Sequence, residues 1–204
     1  MLSTGPSSPA AKLEGLPPTF TTAQARRAAL SSRDLAVLSA DGAVDELSRG
    51  VYRRSDAAES AYVDVLAVCA RAPHAVVCGE TALALHELID DIPQAVNIAV
   101  ARGAHRPSIS FPPVVVSQYS ERTFALNIER YEVAPEETVP VYDAARSVVD
   151  AMRHRHRIGE TLALSALGRY LRRTGTGGVA DLQRVAGKLN AMSIIRPAVE
   201  AVIA

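Results

Sequence analysis

Eight arginine and serine residues between positions 26 and 54 carry the clearest chemical signal in this sequence. Guanidinium groups bind phosphate oxygens through charge-assisted hydrogen bonds, and serine hydroxyls contact phosphates and base edges in DNA complexes. The set consists of Arg26, Arg27, Ser31, Ser32, Arg33, Arg49, Arg53 and Arg54. These residue types predict a surface that contacts nucleic acid, and they predict binding rather than catalysis.

The elements that must position these residues begin with two short helices. Thr21 and Gln24 have the spacing of a capping box, in which each side chain satisfies a backbone amide at the start of a helix. Ser31 and Asp34 repeat the pattern, so a second helix begins soon after the first ends and runs to Gly42. The two helices are therefore predicted to be joined by a tight turn.

A β-hairpin is predicted after the second helix. Residues 43–47 favour a strand, Gly50 supplies the positive φ of a tight turn, and residues 51–54 favour the return strand. Two helices followed by a hairpin form a winged helix-turn-helix, which holds one helix in the major groove of DNA. Ser32 and Arg33 would begin that helix, and the hairpin arginines would reach phosphates or the minor groove.

The net charge of the chain is zero, but the charge is unevenly distributed. Residues 1–56 carry seven Lys and Arg against six Asp and Glu, residues 57–145 carry five against twelve, and residues 146–204 carry ten against four. A chain-wide positive excess, the crude sign of a nucleic-acid binder, is missing. The basic C-terminal third either matches an acidic face of the molecule or serves a charged partner.

A second basic cluster lies in this C-terminal third. Its arginines are Arg153, Arg155, Arg157, Arg169, Arg172 and Arg173. Three interpretations stay open for the first three arginines: contact with DNA phosphates, contact with an acidic protein surface, and a solvated loop between helices. The last three end a predicted helix, where cations also complement the helix dipole.

Catalytic, metal and cofactor sites have no support in the sequence. His154 and His156 lack neighbouring carboxylate or thiol ligands for a metal ion. Residues 174–178 are rich in glycine but lack the Lys-Ser/Thr pair of a Walker loop, so they are interpreted as a connection between helices. No Gly-x-Ser-x-Gly or kinase signature is present. We therefore expect no cofactor and no enzymatic activity.

The predicted location is the cytoplasm. No apolar run approaches the roughly 20 residues that span a bilayer, and residues 1–18 lack the basic-then-apolar order of a signal peptide. Cys69 and Cys78 lie among apolar neighbours and are expected to be buried thiols. No membrane partner is expected.

Three segments are predicted along the chain. Residues 1–18 are rich in Ser, Pro, Gly and Ala and are expected to form a mostly disordered tail, with room for one helical turn at residues 10–16. Residues 19–56 form the winged helix-turn-helix, and residues 57–204 form a C-terminal domain. This domain begins with alternating strands and helices and ends in a helical cluster, so it is a mixed α/β domain and the overall class is α+β.

The first helix of the predicted cluster begins at Pro140. Apolar residues recur at helical spacing over residues 141–152, and proline is acceptable at the first position of a helix. Asp143, Arg146 and Asp150 share the opposite face of this helix.

The segment from residue 20 to residue 54 resembles the N-terminal domain of AbiEi-type antitoxins. That family has a threonine-led helix, a Leu-Ser-led helix and a Gly-Val-Tyr hairpin. The corresponding segments here are Thr-Thr-Ala-Gln-Ala at 21–25, Leu-Ser-Ser-Arg at 30–33 and Arg-Gly-Val-Tyr at 49–52. Residues 78–86 resemble the family's small-residue helix ending in Leu-His, and residues 140–152 resemble its later amphipathic helix.

This resemblance implies a cytoplasmic bacterial antitoxin encoded beside a nucleotidyltransferase-like toxin. In the family, the winged helix represses its own promoter through repeated operator sequences, and the C-terminal domain is tied to neutralisation of the toxin. The resemblance therefore implies two partners for this chain, duplex promoter DNA and a cognate toxin, and it leaves open whether the toxin is contacted directly.

The principal hypothesis is a DNA-binding antitoxin that acts as an autorepressor. Asp34, Asp45 and Glu46 weaken the positive field of the winged helix, so tight DNA binding calls for a homodimer. One alternative is a toxin-sequestering protein with little DNA binding, which would contact the toxin through its basic C-terminal segment. Another is an enzyme that modifies the toxin, for example by transferring phosphate.

Overall fold

A computed structural model of the chain describes residues 8–203. Helices and strands both contribute substantially, which confirms the α+β class. The chain divides into two compact units. The first unit contains the described residues up to Pro73 together with residues 107–112 and 132–139, and the second unit contains the remaining described residues.

The first unit combines four helices and a three-stranded sheet among its described residues. In chain order the elements are α1 (Pro9–Glu14), β1 (Thr19–Thr21), α2 (Thr22–Arg27), α3 (Ser32–Ala40), β2 (Val44–Ser48), β3 (Val51–Arg54) and α4 (Val63–Arg71). The antiparallel sheet has the order β1-β3-β2. Phe20, Leu30, Leu35 and Val44 are among the residues that fill its core, each at most 2% exposed. Because α4 packs on these strands, the first unit extends beyond the predicted boundary at residue 56.

The N-terminal segment is more ordered than the mostly disordered tail that was expected, and it contains a helix where one helical turn was left open. Residues 1–7 lie outside the described residues, but α1 follows them, and the Ser8 hydroxyl accepts a hydrogen bond from the amide of Ala11 at 3.3 Å. Leu13 and Leu16 are buried in the core of the first unit. Composition suggested a tail because the segment is rich in small residues, whereas these two leucines supply enough apolar surface to order it.

A buried ion pair holds together distant segments of the first unit. The Arg53 guanidinium donates to the Glu137 carboxylate, and both residues are 7% exposed. The same guanidinium donates to the Thr19 hydroxyl at 2.7 Å and to the Ala58 carbonyl oxygen at 2.6 Å. Removing either charge would leave the other buried without compensation.

The second unit is built on a mixed sheet that is covered by helices. Its elements are β4 (Val76–Val77), α5 (Gly79–Leu85), β5 (Val96–Ala101), β6 (Val114–Tyr119), α6 (Glu121–Phe124), β7 (Ile128–Ala134), β8 (Glu137–Tyr142), α7 (Ala144–Arg153), α8 (Arg155–Ile158), α9 (Glu160–Lys188) and α10 (Met192–Ile203). The strand order is β6-β5-β4-β8-β7. β5 is parallel to β6, and β4 is parallel to β8. The last residues of β7 and the first residues of β8 belong to the first unit.

The helix predicted from Pro140 begins later than expected. Pro140 lies inside β8, where the buried Val139 and Val141 flank it with the two-residue period of a strand. The helix α7 starts after Asp143, whose carboxylate accepts a hydrogen bond from the amide of Arg146 at 2.7 Å. The prediction failed because apolar residues of β8 and α7 are contiguous and match helical spacing across the junction.

The expected helical cluster is present at the C-terminal end of the described chain. Buried residues of α7, α9 and α10 form one core with residues of α5. Gly175 has φ 58° and ψ −144°, so α9 is broken inside the segment that was interpreted as a connection. No helix in residues 8–203 combines the length and the apolar character needed to cross a membrane.

Replacing Glu137 by glutamine should strongly destabilise the first unit. Glu137→Gln preserves side-chain size but removes the buried charge that compensates Arg53, and such a loss costs roughly 3 kcal/mol. Asp56→Asn is the matched control, because it removes an exposed carboxylate, that of the Arg54–Asp56 pair. Urea denaturation followed by circular dichroism measures both. Equal stability losses in the two variants would contradict the role assigned to the buried pair.

Candidate nucleic-acid interface

Both predicted capping boxes are confirmed. The Thr21 hydroxyl accepts from the Gln24 amide at 3.3 Å, while the Gln24 side-chain oxygen accepts from the Thr21 amide at 2.8 Å. The Ser31 hydroxyl accepts from the Asp34 amide at 3.1 Å, and the Asp34 carboxylate accepts from the Ser31 amide at 2.8 Å. Each helix therefore starts at a residue fixed by reciprocal hydrogen bonds.

The connection between α2 and α3 is short and well anchored. Ala29 takes a positive φ of 59°, which reverses the chain after α2. The Leu30 amide then donates to the Ala25 carbonyl oxygen at 2.9 Å, and the Leu30 side chain is 1% exposed. Leu35 and Leu38 face inward as expected, so the opposite side of α3 faces solvent.

The exposed side of α3 presents small polar and apolar groups around one arginine. Ser31, Ser32 and Arg33 are exposed at its start, and Ala36 and Val37 follow one turn later. The pKa of the Asp34 carboxyl is lowered, first because the Ser31 amide donates to it and second because the Ser31 hydroxyl does. Asp34 is therefore a negative charge in the first turn of α3, where it stabilises the helix and opposes the approach of an anion.

The hairpin turn is fixed against the start of α2. Gly50 has φ 75°, and its amide donates to the Glu46 carboxylate at 2.8 Å. The amide and hydroxyl of Thr22 both donate to the Gly50 carbonyl oxygen, at 2.9 and 3.2 Å. The Arg49 carbonyl oxygen accepts from Arg71 at 2.7 Å, whereas Arg49 itself is exposed. The guanidinium of Arg49 thus projects from a rigid turn.

The predicted DNA contacts of Arg53 and Arg54 are wrong, because both side chains are engaged within the first unit. Arg53 is buried in its pair with Glu137, so its guanidinium cannot reach a phosphate. Arg54 is half-buried, pairs with Asp56 and donates to the carbonyl oxygens of Glu14 and Leu16. Both side chains hold the unit together. The candidate set that stays exposed is Arg26, Arg27, Ser31, Ser32, Arg33 and Arg49.

The remaining interface has no excess of positive charge. Its four exposed arginines are balanced by four carboxylates in the same stretch of chain, namely Asp34, Asp41, Asp45 and Glu46. Long-range attraction to DNA is weak for such a surface, because the fields of equal numbers of neighbouring opposite charges largely cancel at a distance. Salt then screens what remains over a Debye length of about 8–10 Å. If this surface binds DNA, its affinity would therefore depend on close contacts rather than on net charge.

The second basic cluster is mostly engaged within the molecule. Arg153 pairs with Asp150, and Arg155 donates to the Met152 carbonyl oxygen at 3.0 Å. Arg169 pairs with Asp90, and Arg173 pairs with Glu87. Among residues 8–203, no hydrogen bond or ion pair engages the side chain of Arg157 or Arg172, and both residues are exposed. Only these two retain the free guanidinium that contact with DNA or with a toxin would use.

Sequence reasoning missed a buried polar pair in α7. Arg146 is fully buried, Asp150 is 4% exposed, and Nε of the arginine donates to the carboxylate at 2.7 Å. The i,i+4 spacing of the two residues indicated that they could pair, but nothing local indicated that their side of the helix would be covered.

Within the described part of the chain, no three His, Cys, Asp or Glu side chains come together as a metal site would require.

No protein-family model matches the chain, and no curated protein matches it either. The antitoxin interpretation thus depends on the motifs of residues 20–54, 78–86 and 140–152.

Removing the cap of α3 should destabilise the first unit in a pH-dependent way. Ser31→Ala should cost about 1 kcal/mol, whereas Ser39→Ala, an exposed change in the same helix, should cost less. The lowered pKa of Asp34 makes its contribution complete above its unfolded value of about 3.9, and the contribution is lost as pH falls through the folded value.

Urea denaturation between pH 2.5 and pH 7 tests both effects. The difference between wild type and Ser31→Ala should be largest at neutral pH and should shrink in acid. A difference that stays constant over this range would contradict the coupling between Ser31 and Asp34.

Proposed function

We propose that the first unit is a winged helix-turn-helix that binds duplex DNA with α3 in the major groove. The observation that carries this proposal is the arrangement of α2 and α3. Two reciprocal capping boxes and a short, anchored turn hold α3 so that its apolar side is buried and its polar start is exposed. A helix that reads DNA requires this combination of rigid support and exposed first turn.

The order of elements supports the same proposal. A helix, a short strand, two helices and a two-stranded hairpin follow one another, and the short strand pairs with the second hairpin strand. In winged-helix proteins this order places a hairpin beside the helix pair. Here Thr22 fastens the hairpin turn to the start of α2, which leaves Arg49 free for the DNA backbone.

The chemistry of α3 suits a combination of backbone and base contacts. Ser32 and Arg33 lie in the first turn, where hydroxyl and guanidinium groups can bind phosphates or the acceptors of a guanine. Ala36 and Val37 are exposed one turn later, and small apolar side chains pack against thymine methyl groups. Arg26 and Arg27 on α2 would contact the DNA backbone.

The resemblance to AbiEi-type antitoxins extends this proposal to a biological role. The chain would repress its own promoter and counteract a nucleotidyltransferase-like toxin encoded beside it. The balanced charge of the interface fits this role, because a module that binds weakly alone gains affinity when two copies occupy repeated operator sequences. Selectivity for its own promoter would then depend on the spacing of the repeats.

The double variant Arg33→Ala/Arg49→Ala should weaken binding to the promoter upstream of the protein's own gene. Loss of two guanidinium contacts should reduce affinity by about tenfold or more and should lower the slope of log K against log salt by about 2. Fluorescence anisotropy of a labelled promoter fragment at several salt concentrations measures both quantities.

The matched control is Arg122→Ala/Arg196→Ala, which removes the same charge from exposed positions of the second unit. It should leave affinity and slope close to wild type. Unchanged binding by the Arg33/Arg49 variant, or an equal loss in the control, would refute the interface. Equal affinity of wild type for the promoter and for a scrambled duplex would refute the role as a specific repressor.

A further inference from the structure

The second unit contains an open cavity of about 660 Å³ that shares no lining residue with the first unit. This volume lies within the range of roughly 300–1,000 Å³ that is typical of small-molecule sites. Its lining comes from β5 and β6 and the loop between them, from α7, and from the start of α5 and the region of α8. All the residues that line the cavity belong to the second unit.

The lining of the cavity is strongly basic. Five arginines from three parts of the chain contribute to it, together with one histidine: Arg102, Arg106, Arg146, Arg153, Arg157 and His154. The lining carboxylates are Glu80 and Asp150. With the histidine neutral, five positive charges against two negative ones leave a net charge of +3 around the cavity. An anionic ligand would neutralise this excess.

Asp150 cannot neutralise the arginines that surround it. One of its carboxylate oxygens accepts from Arg146 Nε at 2.7 Å, and the other accepts from Arg153 Nη1 at 2.9 Å. A single negative charge is therefore shared by two guanidinium groups, and one positive charge remains. The carboxylate acts as a clamp that fixes both arginines at the cavity.

The Arg146 side chain is fixed by several contacts, but one of its nitrogens lacks a hydrogen-bond acceptor. Its Nη1 donates to the carbonyl oxygens of Thr123 and Leu126 at 3.0 and 3.2 Å, and its guanidinium carbon lies 4.4 Å from the ring centre of Tyr142. Its Nη2 is buried and makes no hydrogen bond to any described residue. Leaving a buried charged donor unsatisfied is costly, so this atom indicates an acceptor that the described chain does not supply.

The other arginines retain free donors as well. Arg102 and Arg157 are exposed, and no hydrogen bond or ion pair to a described residue engages either side chain. Arg106 donates to the Val116 carbonyl oxygen at 2.7 Å through Nη2, and this bond orients its guanidinium. Fixed and free guanidinium groups that converge on one cavity match the several oxygens of phosphate groups.

The cavity is suited to binding rather than to covalent chemistry. Burial raises the pKa of the Cys78 thiol to about 12, so this residue stays protonated at neutral pH and is a poor nucleophile. Burial also raises the pKa of Tyr119, whose phenol is therefore a neutral group in the lining.

We propose that this cavity binds a phosphorylated small molecule of nucleotide size, with its phosphate groups held by the arginines of the lining. The ligand would sit between the free guanidinium groups of Arg102 and Arg157 and the clamped pair of Arg146 and Arg153. The cavity volume leaves room for a nucleoside beside the phosphates. The lining shares no residue with the candidate DNA interface of the first unit, whereas Arg153 and Arg157 also belong to the basic cluster considered above for contact with DNA or a toxin.

Isothermal titration of the full chain with adenosine triphosphate, inorganic tripolyphosphate and adenosine tests the proposal. The triphosphate should bind, adenosine should not, and Arg102→Ala/Arg157→Ala should weaken triphosphate binding by about tenfold or more. The side chains of these two arginines have no hydrogen-bond or ion-pair partner among the described residues, so truncating them should not disturb the fold. The matched control Arg172→Ala/Arg196→Ala removes equal charge from exposed positions outside the lining.

Each outcome decides for or against the site. Equal binding of adenosine triphosphate and tripolyphosphate supports recognition of the phosphate chain, and tighter binding of the nucleotide adds recognition of the nucleoside. Absence of binding by wild type at millimolar ligand overturns the proposal. Equal losses in the two double variants also overturn it, as does a single-stranded oligonucleotide that binds more tightly than the nucleotide does.

Discussion

Burial of a guanidinium group is the constraint on which both units depend. A positive charge removed from water must find acceptors, and the acceptors of Arg53 come from Thr19, Ala58 and Glu137, which are far apart in the sequence. Arg146 imposes the same requirement on the second unit, where two carbonyl oxygens and one carboxylate surround it. In each unit the arginine selects the arrangement of segments that satisfies it, and apolar packing then stabilises that arrangement.

The same physics divides the arginines of the chain into architectural and available groups. Arg53 and Arg54 looked equivalent to Arg49 in the sequence, because all three lie in one hairpin. The structure separates them by their partners, and only Arg49 keeps an exposed guanidinium. A basic residue in the sequence therefore indicates contact with an anionic partner only when the positions of the nearest carboxylates are known. The same holds for the cavity, where the single negative charge of Asp150 cannot balance the two positive charges of Arg146 and Arg153.

What the sequence predicted well was local. The starts of α2 and α3 were predicted because a capping box requires two particular residue types three positions apart. The hairpin turn was predicted because Gly50 permits a positive φ. The burial of Leu13 and Leu16, the strand through Pro140 and the buried pair in α7 were not predicted, because each depends on residues that only the fold brings together. The cavity was not predicted, because its arginines come from separate loops and helices, although Arg153 and Arg157 belong to the basic cluster that the sequence shows.

The way in which the first unit is assembled limits how the chain can be divided. Its globule is completed by residues 107–112 and 132–139, where the Ser48 hydroxyl donates to the Phe111 carbonyl oxygen at 2.6 Å and the Ser60 hydroxyl donates to the Val133 carbonyl oxygen at 2.7 Å. A recombinant fragment that stops at Pro73 would lose these anchors and would carry Arg53 without its counter-charge. The first unit is thus not an excisable module, and a gene fusion that transfers it to another protein would also have to carry residues 107–112 and 132–139.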